Sequence, residues 1–400
     1  QMGIQDSGAV EPPMSAEPRN PFRYAWLEFS CKSLTDSYHE MSRYARGLRK
    51  DILVECNPGG VGGAISPPVD HAGLLQGGEA FWDEGRHPGY RGGNLATRIR
   101  TYKLARRMDN IAFAYSTTPL EMAESMAFNL DCLGCICWFE YNDLVAKPGV
   151  DTPVSLELAP YIDFFHKRRD LLRDASVIAD VAVLRSFPSQ AFADPKHAQL
   201  TAQIEQDFIE NRIPFQIIYD RHLDELQRYQ CLVLAGCVAL SDEQVALIQR
   251  YVDSGGRVCI VGPVATHDEW MAPRKESPFA GIRSENVTRT SPRDDVVATI
   301  RKVCDDRLSV SIQAPVGLCA ELTEQNGRRF VHLVNYRFDG PVSNVAVRLR
   351  LPAGKGVEKV TLANPLREND VVLNFDEEND FATFTVPEVS VYEIAQVVLK

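Results

Sequence analysis

No apolar run in this sequence approaches the roughly 18 residues that cross a bilayer, so no membrane-spanning helix is expected. Positive charge is also short: 43 Lys and Arg stand against 54 Asp and Glu, for a formal net charge of −11. That balance argues against nucleic acid and anionic membranes as partners, because both need concentrated positive potential. A neutral substrate such as a sugar suits it better. The opening stretch lacks the apolar segment of a signal peptide and reads as loop, with Pro12, Pro13, Pro18 and Pro21. Starting at Gln1 without a Met, the sequence reads as cut from a longer chain. The compartment is therefore open, with the cytoplasm favoured over the periplasm or export.

Metal-ligand spacing is lacking too. Cys132, Cys135 and Cys137 form a C-x2-C-x-C run, but no second ligand pair follows at zinc-finger distance and the run looks like a strand. No metal and no cofactor is expected. Of the ten Cys, Cys56, Cys231 and Cys259 are typical: they sit in apolar strand-like runs and read as reduced, buried packing. No internal repeat or low-complexity segment occurs.

What is present is an ordinary soluble composition, 44% hydrophobic and 24% charged over 400 residues. That length calls for two or three separate cores. From Ala25 to Leu48, the residues Leu27, Phe29, Leu34, Tyr38, Met41, Tyr44 and Leu48 recur every few positions and predict an amphipathic helix. Short strands then alternate with helices. Strands are expected at Asp51 to Cys56, Glu79 to Trp82, Ile111 to Tyr115 and Leu133 to Phe139. Helices are expected at Leu95 to Met108, Leu120 to Leu130 and Val154 to Leu172. This spacing indicates βα units in a parallel sheet.

A second α/β block follows, with strands at Val181 to Leu184, Phe215 to Tyr219, Cys231 to Ala235 and Val258 to Val261, and helices at Leu200 to Asn211 and Asp242 to Asp253. Ser254-Gly255-Gly256 supplies the last helix stop. After a loop-rich stretch from about Thr266 to Pro292, the pattern turns to period two from Phe330 onward, which predicts an antiparallel β-sandwich.

The order of these blocks, together with particular residues, resembles the β-galactosidases of glycoside hydrolase family forty-two. The matching stretches are Phe22 to Phe29, Glu55-Cys56-Asn57, Trp82-Asp83-Glu84, Trp138-Phe139-Glu140, Leu240 to Gln244, Tyr251 to Val258, His332 to Tyr336 and Tyr392-Glu393-Ile394. The resemblance implies an α/β multidomain chain: residues 1–175 as the C-terminal half of a (β/α)8 TIM barrel, 176–285 as a flavodoxin-like or amidotransferase-like trimerisation domain, and 286–400 as the β-sandwich. It implies a glycoside hydrolase acting on oligo- or polysaccharides and a homotrimer or other homo-oligomer. One departure stands out. The family carries a nucleophilic Glu at the end of the seventh barrel strand, and the corresponding stretch here, Phe113-Ala114-Tyr115-Ser116-Thr117-Thr118-Pro119, holds no carboxylate.

Glycoside hydrolysis generally uses two carboxylates flanking the scissile bond, and in a barrel they stand at the C-terminal strand ends. Asp83, Glu84 and Glu140 have that placement. Adjacent side chains diverge on an extended strand, which favours Glu84 with Glu140 as the catalytic pair and leaves Asp83 to substrate binding. Glu84 could equally cap a turn or pair with Arg86. Trp82, Tyr115 and Trp138 lie near strand ends, where aromatic faces can stack on sugars, although Trp138 also reads as a core residue. Asn57 could hydrogen-bond a sugar hydroxyl or serve an ordinary Asn-Pro-Gly turn. His87 reads as a loop residue. Cys237 invites a nucleophile reading in the middle block, but no His and Glu pair follows at suitable spacing, and packing is the simpler reading. The competing function is a catalytically altered barrel that binds glycans, or serves assembly, without cleaving them.

Overall fold

In the computed structural model the described residues are 21–400, apart from 63–64, 66, 77–79, 86, 136–156 and 283–284. The first helix, α1 (Pro21–Leu48), forms as expected, but its buried stripe differs from the one read in the sequence. Tyr24, Cys31 and Tyr38, spaced seven apart, face inward, whereas Phe29, Met41, Tyr44 and Leu48 are exposed. Seven residues are two turns, so this stripe fits the helical period as well as the wider one did. Tyr38 fastens the helix to the sheet: its hydroxyl donates to the Val54 carbonyl at 2.9 Å and the Ala80 carbonyl at 3.2 Å.

That sheet is parallel, with β1 (Glu55–Cys56) beside β2 (Ala80–Asp83); a short α2 (His71–Leu74) lies between them in sequence. The expected strand from Asp51 shrinks to two residues, because β1 meets β2 at two positions and residues 51–53 are exposed. A hairpin of β3 (Gly89–Arg91) and β4 (Asn94–Ala96) follows. Gly92 and Gly93 both hold positive φ, 57° and 82°, which a two-residue hairpin turn requires. This hairpin takes residues from the predicted helix, so α3 starts late, at Ile99–Arg107. Next come β5 (Ala112–Ala114), parallel to β2, and α4 (Pro119–Phe128). A parallel bridge between Tyr115 and Cys135 adds the following segment on the far side of β5. Helices α5 (Ala159–Lys167) and α6 (Arg169–Leu172) replace one longer expected helix, and β6 (Ser176–Val177) pairs antiparallel with a distant strand at Thr323 and Glu324.

The middle sheet contains β7 (Val181–Arg185), β8 (Phe215–Tyr219), β9 (Cys231–Ala235), β10 (Arg257–Val261) and β11 (Val287–Thr290). All neighbours are parallel, and the spatial order is β11-β10-β9-β7-β8. Counted within the sheet this is the doubly wound order 2-1-3-4-5. Its helices are α7 (Phe187–Ala191), α8 (Pro195–Glu210), α9 (Asp242–Asp253) and α10 (Val296–Val303), with a 3-10 turn over Asp220–Arg228. The strand β11 carries this α/β unit past position 285, where the sequence suggested a division. The chain leaves the sheet after β10 and pairs with it again at β11, so both strands belong to one unit.

The remaining strands are β12 (Val310–Gln313), β13 (Leu318–Gln325), β14 (Arg328–Asn335), β15 (Val342–Arg350), β16 (Val357–Ala363), β17 (Val371–Leu373), β18 (Phe375–Glu378), β19 (Phe381–Val389) and β20 (Tyr392–Leu399). They form two antiparallel sheets, β12-β15-β19-β18 and β17-β16-β20-β14-β13-β6. Alternate residues such as Val345, Val347, Leu349, Val331 and Leu333 fill the core between them.

Candidate functional site

Strand alternation divides the residues at the end of β2. Phe81 and Asp83 point to one face of the parallel sheet, Trp82 and Glu84 to the other. The register sets Trp82 beside Phe113 and Asp83 beside Ala114. Trp82, Glu84, Phe113 and Tyr115 therefore share a face, and their contacts agree. The Trp82 ring stacks on Phe113 at 6.2 Å and meets Tyr115 edge-on at 5.1 Å. The Tyr115 hydroxyl donates to Glu84 Oε1 at 3.3 Å. Glu84 is exposed, and Trp82 and Tyr115 are half-buried. The indole N–H of Trp82 is buried with no hydrogen-bond partner among the described residues. An acid beside two aromatic rings at the C-terminal edge of a parallel sheet is suited to a sugar: flat rings take the C–H face and the polar groups take the hydroxyls.

Asp83 goes the other way. It is buried, accepts from Thr101 Oγ1 at 2.6 Å and from the Gly85 N–H at 2.6 Å, and is thereby bound to α3 and the loop after β2. A Cβ on Gly60 would stand 2.5 Å from its carboxylate oxygens, so the loop after β1 also closes on it. Asp83 thus joins three backbone segments beneath the site and is not brought together with Glu84. Asn57 is exposed just past the end of β1. Trp138 and Glu140 lie outside the described residues, as does Cys137. The segment that leads to them does run beside β5, with the Cys135 N–H donating to the Ala114 carbonyl at 2.8 Å.

Two residues that the sequence reading passed over organise the strand ends. Arg98, buried just before α3, donates from Nη1 to the Tyr115 carbonyl at 3.0 Å and from Nη2 to the Gly85 carbonyl at 3.4 Å. One guanidinium thus links the chain just after Glu84 to the backbone of Tyr115. Arg98 is anchored in turn by Glu121, 3.5 Å away. The Glu121 carboxylate is buried and fully used: Oε2 accepts from the Thr117 N–H and hydroxyl and the Thr118 N–H, and Oε1 lies 2.8 Å from His87 Nδ1. Burial pushes the Glu121 carboxyl up, but His87, Thr117 and Arg98 together outweigh it and hold the group below its usual range. The capping box Thr118-Pro119-Leu120-Glu121 was a readable signal for this arrangement. No local signal marked Arg98. His87, on the loop, is largely exposed apart from this contact.

Elsewhere, Cys237 is buried, its thiol 3.4 Å from the Leu184 carbonyl and pushed up to about 12 by burial, so it is held as the inert thiol. Among the described residues no group of three or more His, Cys, Asp or Glu is arranged to hold a metal, and no helix is long and apolar enough to cross a membrane.

No family model matches the sequence, and no curated protein matches it. Solved structures do match it. An α-L-fucosidase from Paenibacillus thiaminolyticus aligns with 76% of this chain and 62% of its own at 14% identity and a TM-score of 0.53. An exo-carrageenase of family forty-two from Bacteroides ovatus aligns over 94% and 56% at 11% identity and 0.60. A family forty-two β-galactosidase from G. stearothermophilus aligns over 99% and 71% at 13% identity and 0.61. The chain spans less than two thirds of the first two. It shares the fold of the β-galactosidases of glycoside hydrolase family forty-two.

Proposed function

We propose that this chain is part of a glycoside hydrolase of the β-galactosidase type, acting on oligo- or polysaccharides. In this reading β1, β2, β5 and the segment through Cys135 are the second half of a (β/α)8 barrel, the 2-1-3-4-5 sheet is a flavodoxin-like domain that drives trimerisation, and the two antiparallel sheets are the closing β-sandwich. The observation that carries the reading is the group of Glu84, Tyr115 and Trp82 on one face at the C-terminal sheet edge, where barrel enzymes keep their chemistry. Glu84 is the catalytic carboxylate on this face, Glu140 its proposed partner from the last barrel strand, and Trp82, Tyr115, Trp138 and Asn57 line the sugar site.

The test is hydrolysis of aryl glycosides by the full natural chain. Glu84→Gln keeps shape but removes the charge that meets an oxocarbenium-like transition state, so kcat should fall about a hundredfold or more with KM little changed. Normal turnover in Glu84→Gln rejects the assignment. The rival reading, a barrel that binds glycans without cleaving them, is favoured by one observation: the acid nearest the end of β5, Glu121, is spent on capping α4. Saturable sugar binding with no hydrolysis would establish it.

A further inference from the structure

Resting on the hydrolase reading, we infer that Tyr115 is the nucleophile of this site and Glu84 its general base. The end of β5 is where a nucleophilic carboxylate is expected, and the residue that projects there onto the aromatic face is Tyr115. The first acid downstream, Glu121, cannot substitute. Both of its oxygens are taken up by Thr117, Thr118 and His87.

A phenol with an ordinary pKa near 10 attacks poorly unless a base within hydrogen-bond reach takes its proton. Glu84 Oε1 is that base, 3.3 Å from the hydroxyl, a loose contact of the kind that tightens once substrate is bound. The two groups come from neighbouring strands and are positioned from behind. Arg98 holds the Tyr115 carbonyl and the Gly85 carbonyl with one guanidinium, and Trp82 packs against the Tyr115 ring in a T-shaped contact. A hydroxyl so constrained gains much of the advantage of proximity before substrate arrives.

The chemistry balances. As the Tyr115 oxygen attacks the anomeric carbon, its proton passes to Glu84, the glycosidic C–O bond breaks and an aryl alcohol leaves as its anion. Water then attacks the anomeric carbon of the glycosyl-tyrosine and releases a proton to solvent. Glu84 returns its proton to the departing Tyr115 oxygen, which restores both groups. Two displacements at one carbon retain its configuration.

The experiment uses the full natural chain with an aryl glycoside and with its 2-deoxy-2-fluoro analogue, which slows the second step. The expected result is a retained product, a covalent sugar on the peptide that contains Tyr115, and loss of that adduct with a fall in kcat of about a thousandfold or more in Tyr115→Phe. Hydrolysis with an inverted product, with the adduct elsewhere or missing, or with Tyr115→Phe within tenfold of the parent overturns the inference and leaves the hydrolase reading standing. Absence of any hydrolysis in the parent chain overturns both. Circular dichroism and sugar binding of Tyr115→Phe matching the parent separate lost chemistry from lost folding.

Discussion

Glu124 is a buried acid whose charge state bears directly on stability. It lies on α4 with no exposure to solvent, and one of its oxygens accepts from the Arg98 N–H at 2.8 Å and the Tyr336 hydroxyl at 2.9 Å. The other oxygen has no hydrogen-bond partner among the described residues. Burial lifts its carboxyl from an ordinary 4.5 to about 7, against the pull of Arg98. A raised acid pKa means that the folded chain keeps the proton longer than the unfolded chain does. Stability from this group is therefore complete below pH 4.5, declines as pH climbs toward 7, and is fully lost above that. At 1.36 kcal/mol per unit, the 2.5-unit rise amounts to roughly 3 kcal/mol. Glu124→Gln keeps the acceptor for Arg98 and Tyr336 and has no charge to bury at any pH. The variant should be more stable than the parent by up to roughly 3 kcal/mol at pH 8 and nearly equal to it at pH 4.5. Urea midpoints at the two pH values, followed by tryptophan fluorescence, give the comparison, and other titrating groups cancel between the two proteins. Parallel pH profiles for parent and variant would refute the reasoning.

Two further outcomes follow from the junctions between units. Lys103 on α3 donates to Glu321 on β13 at 2.5 Å and to the Phe215 carbonyl on β8 at 3.0 Å, and both charged side chains are buried. Lys103→Met should cost about 3 to 5 kcal/mol by stranding Glu321, and adding Glu321→Leu should restore most of it in the same urea assay. The proposed trimerisation domain predicts a trimer mass by light scattering of the natural chain at micromolar concentration, and a strictly monomeric mass rejects it.

How far the sequence can be read depends on whether the signal is local. Helix α9 (Asp242–Asp253) is legible at both ends, because Ser241 and Gln244 form a capping box and Gly255 takes a positive φ at the stop. The divergence of Asp83 and Glu84 is equally legible, since it needs nothing beyond strand alternation. The pairing of Glu84 with Tyr115 is not, because it depends on the register between strands 31 residues apart in sequence. Leu95 fits a helical spacing yet belongs to a hairpin, where the backbone freedom of Gly92 and Gly93 prevails over apolar periodicity. Arg98 and Glu124 were the hardest to see. Charged residues within an amphipathic pattern read as a solvated face, and here they are buried against one another.

Helix α3 shows why those charges are inside. Its period places Arg98, Thr101, Tyr102 and Ala105 on one side, facing the sheet, where Arg98 holds the strand ends and Thr101 holds Asp83. Arg100, Lys103 and Arg107 occupy another side. Arg100 reaches Glu205 at 3.0 Å, Lys103 reaches Glu321 and the Phe215 carbonyl, and Arg107 lies 2.9 Å from Glu225. A buried charge is tolerated where its partner is fixed, so each of these contacts constrains the helix in position as well as neutralising it. The same rigid helix thus takes its position from the middle unit and the β-sandwich and transmits it, through Arg98, to the backbone at Gly85 and Tyr115. Glu84 and Tyr115 each stand one residue past a short strand, of four and three residues, which alone would hold them loosely. Docking of the two downstream units onto α3 supplies the precision that the proposed reacting pair would require, which gives those units a part in the proposed site without contributing a side chain to it.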